Sequence, residues 1–146
     1  MTTDSKHNLP IAPNLLERNF TVAAPNRAWV SDITTISTGE GWLVLAGLKD
    51  LFSGKLVSYA MSERMTKNRV MQALFRGASA KRMESFWGTL KNELVHHRRY
   101  RTRAQAIQEI TEYIEIFYNR QRKQARLGYL SPAAFTQQYY ENLLAA

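Results

Sequence analysis

The run from Trp42 to Leu51, Trp-Leu-Val-Leu-Ala-Gly-Leu-Lys-Asp-Leu, constrains this chain most, because it is apolar at nearly every position and not at every second one. A strand of that kind has no face to offer water, so it belongs in the middle of a sheet with both faces covered. Its neighbours fit that role. Trp29 to Ile36 is rich in β-branched residues, and Lys55 to Met61 alternates loosely. The connections Thr38-Gly39-Glu40-Gly41 and Ser53-Gly54 are short and carry glycine, as hairpins need. The expectation is a three-stranded antiparallel meander.

Helical periodicity takes over afterwards. A helix is expected from Thr66, which can cap it, to about Arg76, and Gly77-Ala78-Ser79-Ala80 is a weak break. From Met83 to Val95 the apolar residues Met83, Phe86, Trp87, Leu90 and Leu94 form one stripe. Thr102 and Gln105 form a capping box for a longer helix, with Ile107, Ile110, Ile114 and Phe117 as its buried face. Gly128 ends that region, and Ser131-Pro132 opens a final helix with a cap and a proline in the first turn. Residues 1–25, punctuated by Asn8-Leu9-Pro10, Ala12-Pro13-Asn14 and Ala24-Pro25-Asn26, read as an extended arm, and 26–146 as one α+β domain.

Within this frame two carboxylates stand out. Asp32 lies among Val30, Ile33, Thr34 and Ile36, where aspartate is disfavoured. Glu84 sits at the edge of the helical stripe, and Lys91 follows seven residues later on the same flank, roughly 10 Å along the axis. A strand carboxylate facing a helix carboxylate suits a divalent ion, and the lysine suits a phosphate. Without context, the favoured reading of Glu84 and Lys91 is an ordinary amphipathic helix with two solvated charges. A two-ion site normally needs at least three carboxylates. Asp50 offers itself as a third only if the hairpin register puts it on the face of Asp32, and a one-residue slip reverses that. A solvated strand-end residue is the expected role for Asp50.

Charge supplies the context. The net charge is +8 and the pI about 10.0, which points to a polyanionic partner, nucleic acid before membrane. Between Lys91 and Arg126 nine Lys/Arg oppose four Glu. The run His96-His97-Arg98-Arg99-Tyr100-Arg101-Thr102-Arg103 interleaves cations with an aromatic, as phosphate contacts with base stacking require; a solvated loop between helices fits it equally well. Two adjacent histidines without a third ligand are a weak metal signal. Cysteine is absent, which removes disulfides and thiolate sites and agrees with a cytoplasmic protein. The longest apolar run is far too short to cross a bilayer, and the N-terminus lacks the order of a secretory signal.

Two blocks of motifs carry a resemblance. The first comprises Leu9-Pro10, Ala12-Pro13-Asn14-Leu15-Leu16, Arg18, Phe20, Pro25-Asn26, Trp29-Val30, Asp32-Ile33-Thr34 and Trp42-Leu43. The second comprises Glu84-Ser85-Phe86-Trp87, Leu90-Lys91, Glu93, Tyr118-Asn119, Arg122, Leu127-Gly128-Tyr129 and Ser131-Pro132. Together they resemble insertion-sequence transposases of the copy-out-paste-in type, relatives of retroviral integrases. The resemblance implies a ribonuclease-H-like fold and Mg²⁺-dependent (or Mn²⁺-dependent) DNA cleavage and strand transfer. It makes Asp32 and Glu84 the first and last members of an Asp-Asp-Glu triad that holds metal, and Lys91 a contact to the DNA end. Arg98, Arg99, Arg101, Arg103 and Arg122 join Lys91 as candidate DNA contacts.

The departures matter as much. The family's second aspartate lies on a strand after the first helix, in a His-Ser-Asp-Arg-Gly-like motif, and nothing between Arg76 and Met83 resembles it. The two blocks meet there as if an internal deletion had fused them, and the family's upstream helix-turn-helix region is also missing from the match. Gln124 stands where many relatives have histidine. The expectation is therefore a truncated integrase core in which catalysis is lost and DNA contact survives. Two alternatives are a module that assembles with intact transposase, and residual metal-dependent nicking by Asp32 and Glu84 with help from Asp50. The lost strand would have paired with Trp29 to Ile36, so that edge is expected to be open and prone to self-association.

Overall fold

A computed structural model of the chain describes residues 21–64 and 80–146. The helix expected over Thr66 to Arg76, and most of the N-terminal arm, lie outside the described residues. The sheet is the expected meander: β1 (Trp29–Thr38), β2 (Gly41–Asp50) and β3 (Leu56–Ser62), all antiparallel in the order β1-β2-β3. β1 and β2 join through the two-residue turn Gly39-Glu40. The Thr38 hydroxyl closes it, donating to the Gly41 carbonyl at 2.7 Å and accepting from the Glu40 amide at 3.2 Å. Gly39 admits no side chain, because a Cβ there would lie 2.5 Å from the Arg101 carbonyl oxygen. β2 is buried on both faces: Leu43 and Leu45 on one, Val44 and Ala46 on the other.

Helix α1 (Ala80–Glu93) starts three residues before the expected Met83 and stops short of Val95, where a 3-10 turn takes over (Val95–His97). Its stripe packs as predicted. Met83, Phe86, Trp87 and Leu90 join Val30, Ile36, Leu43, Leu45 and Leu56 in one core, with Leu94 partly buried beside them. Helix α2 (Arg103–Glu112) is capped by the Thr102 hydroxyl, which accepts from the Gln105 amide at 3.1 Å. The Gln105 side chain returns its bond one residue early, to the Arg101 amide.

The buried face of α2 corrects the sequence reading. Ile107 and Phe117 are exposed, and the core is filled by Ala106, Ile110, Tyr113, Ile114 and Tyr118. Ile107 turns outward already within the α-helix, and Phe117 is displaced by a π-helical segment, Tyr113–Tyr118, in which the Asn119 amide reaches back five residues to the Ile114 carbonyl. The wider turn takes up one extra residue, so Tyr118 replaces Phe117 on the inner face. After the 3-10 turn Ala125–Leu127, closed by Gly128 in the left-handed conformation, α3 (Pro132–Ala145) begins at Ser131. The Ser131 hydroxyl accepts from the Ala134 amide at 3.2 Å. Phe52 holds this helix through ring contacts with Phe135 and Tyr139, at 5.1 and 5.2 Å between centroids.

Candidate functional site

Asp32 lies opposite Gly47 in the β1–β2 ladder. Because side chains alternate along a strand, it shares a face with Val30, Thr34 and Ile36, the face that α1 covers. The missing side chain at Gly47 makes room for α1. A Cβ there would meet the Trp87 ring at 3.0 Å, the Leu56 methyl at 3.2 Å and the Met83 methyl at 3.4 Å. The indole of Trp87 fills that space and its Nε1 donates to Oδ2 of Asp32 at 3.2 Å. Glu84 precedes Trp87 by three residues, hence by about one helical turn. The strand and the helix carrying the two predicted carboxylates are thus held together through Trp87. Glu84 is exposed, and Lys91 is half-buried two turns below it on the same flank. The role of Trp87 was missed in the sequence, although a buried indole seldom leaves its N–H without an acceptor.

Asp50 is not a solvated strand-end residue. It is 1% exposed and accepts from the Asn26 amide at 3.0 Å, the Ser53 amide at 2.9 Å and the Ser53 hydroxyl at 2.7 Å. Short turns need such an acceptor for amides that the sheet cannot pair. Its partner in the ladder is Trp29, three positions from Asp32, so it points to the opposite face. Asp50 holds a turn and does not join Asp32.

The fit to a divalent ion follows from these donors. No group of three or more His, Asp or Glu side chains among the described residues is arranged to hold a metal. One oxygen of Asp32 is already engaged by Trp87. Two carboxylates neither neutralise nor fix a pair of divalent ions, so the described residues do not fit a two-ion centre.

The predicted DNA contacts divide into two groups. Arg98 pairs with Glu109 at 3.0 Å. Arg103 pairs with Glu63 at 3.2 Å and donates to the carbonyls of Trp42 and Glu40, tying α2 to the first hairpin. Arg122 pairs with Glu93 at 2.8 Å, and Tyr113 donates to the same carboxylate at 2.6 Å. Burial pushes the Glu93 carboxyl up, but the bonds from Arg122 and Tyr113 and the Arg122 charge outweigh it, so its pKa falls below the ordinary glutamate value. The hydrogen bond to Glu93 raises Arg122 in turn, and burial followed by Glu93 raises Tyr113. These three arginines are paired within the described residues. Arg99 and Arg101 are exposed, with no side-chain ion pair or hydrogen bond among the described residues. No described helix is long and apolar enough to cross a membrane.

Comparison with known proteins bears on the same residues. The family model described as an integrase core domain matches residues 84–140, from Glu84 into α3. The uncharacterized 31 kDa protein of insertion element IS600 from Shigella sonnei is 44% identical, over 96% of this chain and 68% of its own length. The transposase of insertion sequence element IS904 from Lactococcus lactis is 33% identical, over 84% of this chain and 66% of its own. Transposase InsF of insertion sequence IS3A from Escherichia coli is 31% identical, over 88% of this chain and 60% of its own. The chain thus spans about two thirds of the length of these relatives. The alignment with the IS600 protein covers 184 positions, although the whole chain has 146 residues, so at least 38 of those positions are filled only by the relative. No solved structure matches. The similarity over nearly the whole chain, and the match that begins at Glu84, place this chain among the insertion-sequence transposases with an integrase-like core.

Proposed function

We propose that this chain is a transposase core of ribonuclease-H-like ancestry that has lost the middle of its catalytic segment, keeps contact with DNA, and no longer performs strand transfer. The observation that carries this reading is that Asp50, the carboxylate that would complete the set, is buried in its turn on the face opposite Asp32. The surplus positions in the relative's alignment support an internal loss, which the sequence motifs locate between Arg76 and Met83. The family's metal-dependent chemistry needs a charge set that Asp32 and Glu84 do not supply. DNA contact would fall to Lys91, Arg99 and Arg101, whose side chains are not consumed by ion pairs with other described residues.

The test is calorimetry with Mg²⁺ on the protein and its Asp32→Asn variant, followed by gel shifts on duplex DNA. The expected result is no saturable Mg²⁺ binding by either protein, with duplex binding at low salt. With about three phosphate contacts, the logarithm of affinity should fall with a slope of about −3 against the logarithm of salt. Saturable Mg²⁺ binding that Asp32→Asn removes, with Mn²⁺-dependent nicking lost in Glu84→Gln, would overturn the inactivity. Failure to shift any duplex at low salt would overturn the DNA contact.

A second reading is assembly with intact transposase or with another copy. It is favoured by β1, an outer strand that pairs with β2 alone among the described residues. An unpaired strand edge is a template for another chain. Co-purification of a tagged copy with an intact relative supports this reading, and a strictly monomeric protein that ignores the relative ends it.

A further inference from the structure

The three tryptophans of the chain are placed in three different ways. Trp87 is buried and its indole donates to Asp32. Trp29 is exposed, but its indole donates to the Asn26 side chain at 3.4 Å. Trp42 is 61% exposed, and its indole has no hydrogen bond or ring contact among the described residues. Leu43 faces the core, so alternation sends the Trp42 ring to the other side of β2, at the hairpin end. That end is fastened to the basic run. The Gly39 amide donates to the Tyr100 carbonyl at 2.9 Å, and Arg103 donates to the carbonyls of Trp42 and Glu40 at 3.2 and 2.7 Å. Tyr100 is the aromatic that the sequence offers for base stacking, yet it is 5% exposed and part of the core. Its neighbours Arg99 and Arg101 point their charges to solvent, with no side-chain partner among the described residues. The carboxylates of Glu40 and Glu63 at this corner are both turned to Arg103, the first to its backbone amide at 2.8 Å and the second to its guanidinium at 3.2 Å.

An indole in water forgoes the gain that covering its faces would bring, and an arginine without a carboxylate keeps its charge for an outside anion. A ring and two such cations at one corner match one ligand, an unpaired nucleotide, whose base offers a π-face and whose phosphates offer charge. Inside a duplex the bases cover one another's faces, so a protein ring gains nothing there. We propose that Trp42 stacks on an unpaired base of single-stranded DNA while Arg99 and Arg101 hold the flanking phosphates. The choice of DNA rests on the proposed DNA contact. The preference for an unpaired base rests on Trp42 alone.

The experiment is fluorescence anisotropy at low salt with a labelled oligo(dT) and a labelled duplex, using the full chain as wild type, Trp42→Ala, Trp42→Phe and Arg101→Gln. The readout is the ratio of the two affinities, because loss of fold or of basic charge lowers both together. Trp42→Ala should lower single-strand affinity relative to duplex by about tenfold. Trp42→Phe keeps a ring and should recover most of that loss. Arg101→Gln should weaken both ligands and lower the duplex salt slope by about 1. An unchanged ratio in Trp42→Ala overturns the stacking site, and duplex binding in that same protein leaves the DNA contact standing. Binding to oligo(dT) that depends on Trp42, with no binding to duplex, keeps the site and refutes the duplex contact. Binding to neither ligand overturns both. If Trp42→Ala does not fold, tryptophan emission decides. Oligo(dT) should quench it in the wild type, and Trp42→Phe should lose most of that quenching; equal quenching in the two overturns the site.

Discussion

The two flanks of α1 are built from similar residues and used differently. On the flank toward the end of α2, Glu93 takes bonds from both Arg122 and Tyr113. Beside it, the Asn119 side chain accepts from the Leu56 amide at 3.0 Å and donates to the Leu56 carbonyl at 3.1 Å. The Tyr118 hydroxyl donates to the Gly54 carbonyl at 3.0 Å, while its ring meets Phe86 edge-on. On the other flank Glu84 makes no side-chain bond among the described residues, and Asp32 has a single indole partner. Polar groups that serve a fold are satisfied inside it, whereas polar groups left for an outside partner are not. The first flank clamps the C-terminal helices to the sheet, and the second leaves Glu84 exposed and Asp32 half-buried.

The sharpest way to break this contrast is Asn119→Ala. Asn119 is 4% exposed, and its removal leaves the amide and carbonyl of Leu56 buried without partners. The expected loss is about 3 kcal/mol in denaturant unfolding, with the slope unchanged. A loss under about 1 kcal/mol would mean the clamp is ornamental. Next comes Trp87→Phe, which deletes the bond to Asp32 and part of the ring beside Gly47. It should cost about 1–2 kcal/mol, less than the clamp because Asp32 is only half-buried and can turn to water.

Glu93 gives a smaller, pH-dependent effect. Its folded pKa lies below the ordinary value of 4.5, so its contribution is complete above that value and fades as pH falls through the folded pKa. The side chain is 35% exposed, so solvent screening holds the effect to about 1 kcal/mol or less. Tm measured on acidification should therefore fall less steeply in Glu93→Gln than in the wild type. Glu84→Gln is the smallest, within about 0.5 kcal/mol of the wild type, since Glu84 is exposed and no hydrogen bond or ion pair among the described residues uses it. A Glu84 variant as damaging as the Asn119 variant would erase the distinction between the flanks.

Local pattern made much of this legible. The three strands, the α1 stripe, the Thr102 and Ser131 caps and the Gly128 stop are all readable from neighbours a few residues apart. The place of Phe117 was not, because a π-helical segment shifts phase without any residue type that announces it, and Phe117 yields its place to Tyr118. The candidate DNA-contact arginines look alike in sequence, but salt bridges depend on what lies opposite. Glu109, Glu63 and Glu93 lie 11, 40 and 29 positions away from Arg98, Arg103 and Arg122.

Asp50 and Asp32 mark the division. The sequence by itself determined that Asp32 is an exception in a strand, that Glu84 and Lys91 share a helix flank, and that β2 lies between two others, since each follows from spacing along the chain. Only the tertiary structure decided that Asp50 turns inward to a loop and away from Asp32, that Trp87 fills the gap at Gly47, and that Asn119 closes on the backbone of Leu56. Those are matters of register and of distant segments meeting, and a chain read one neighbourhood at a time carries neither.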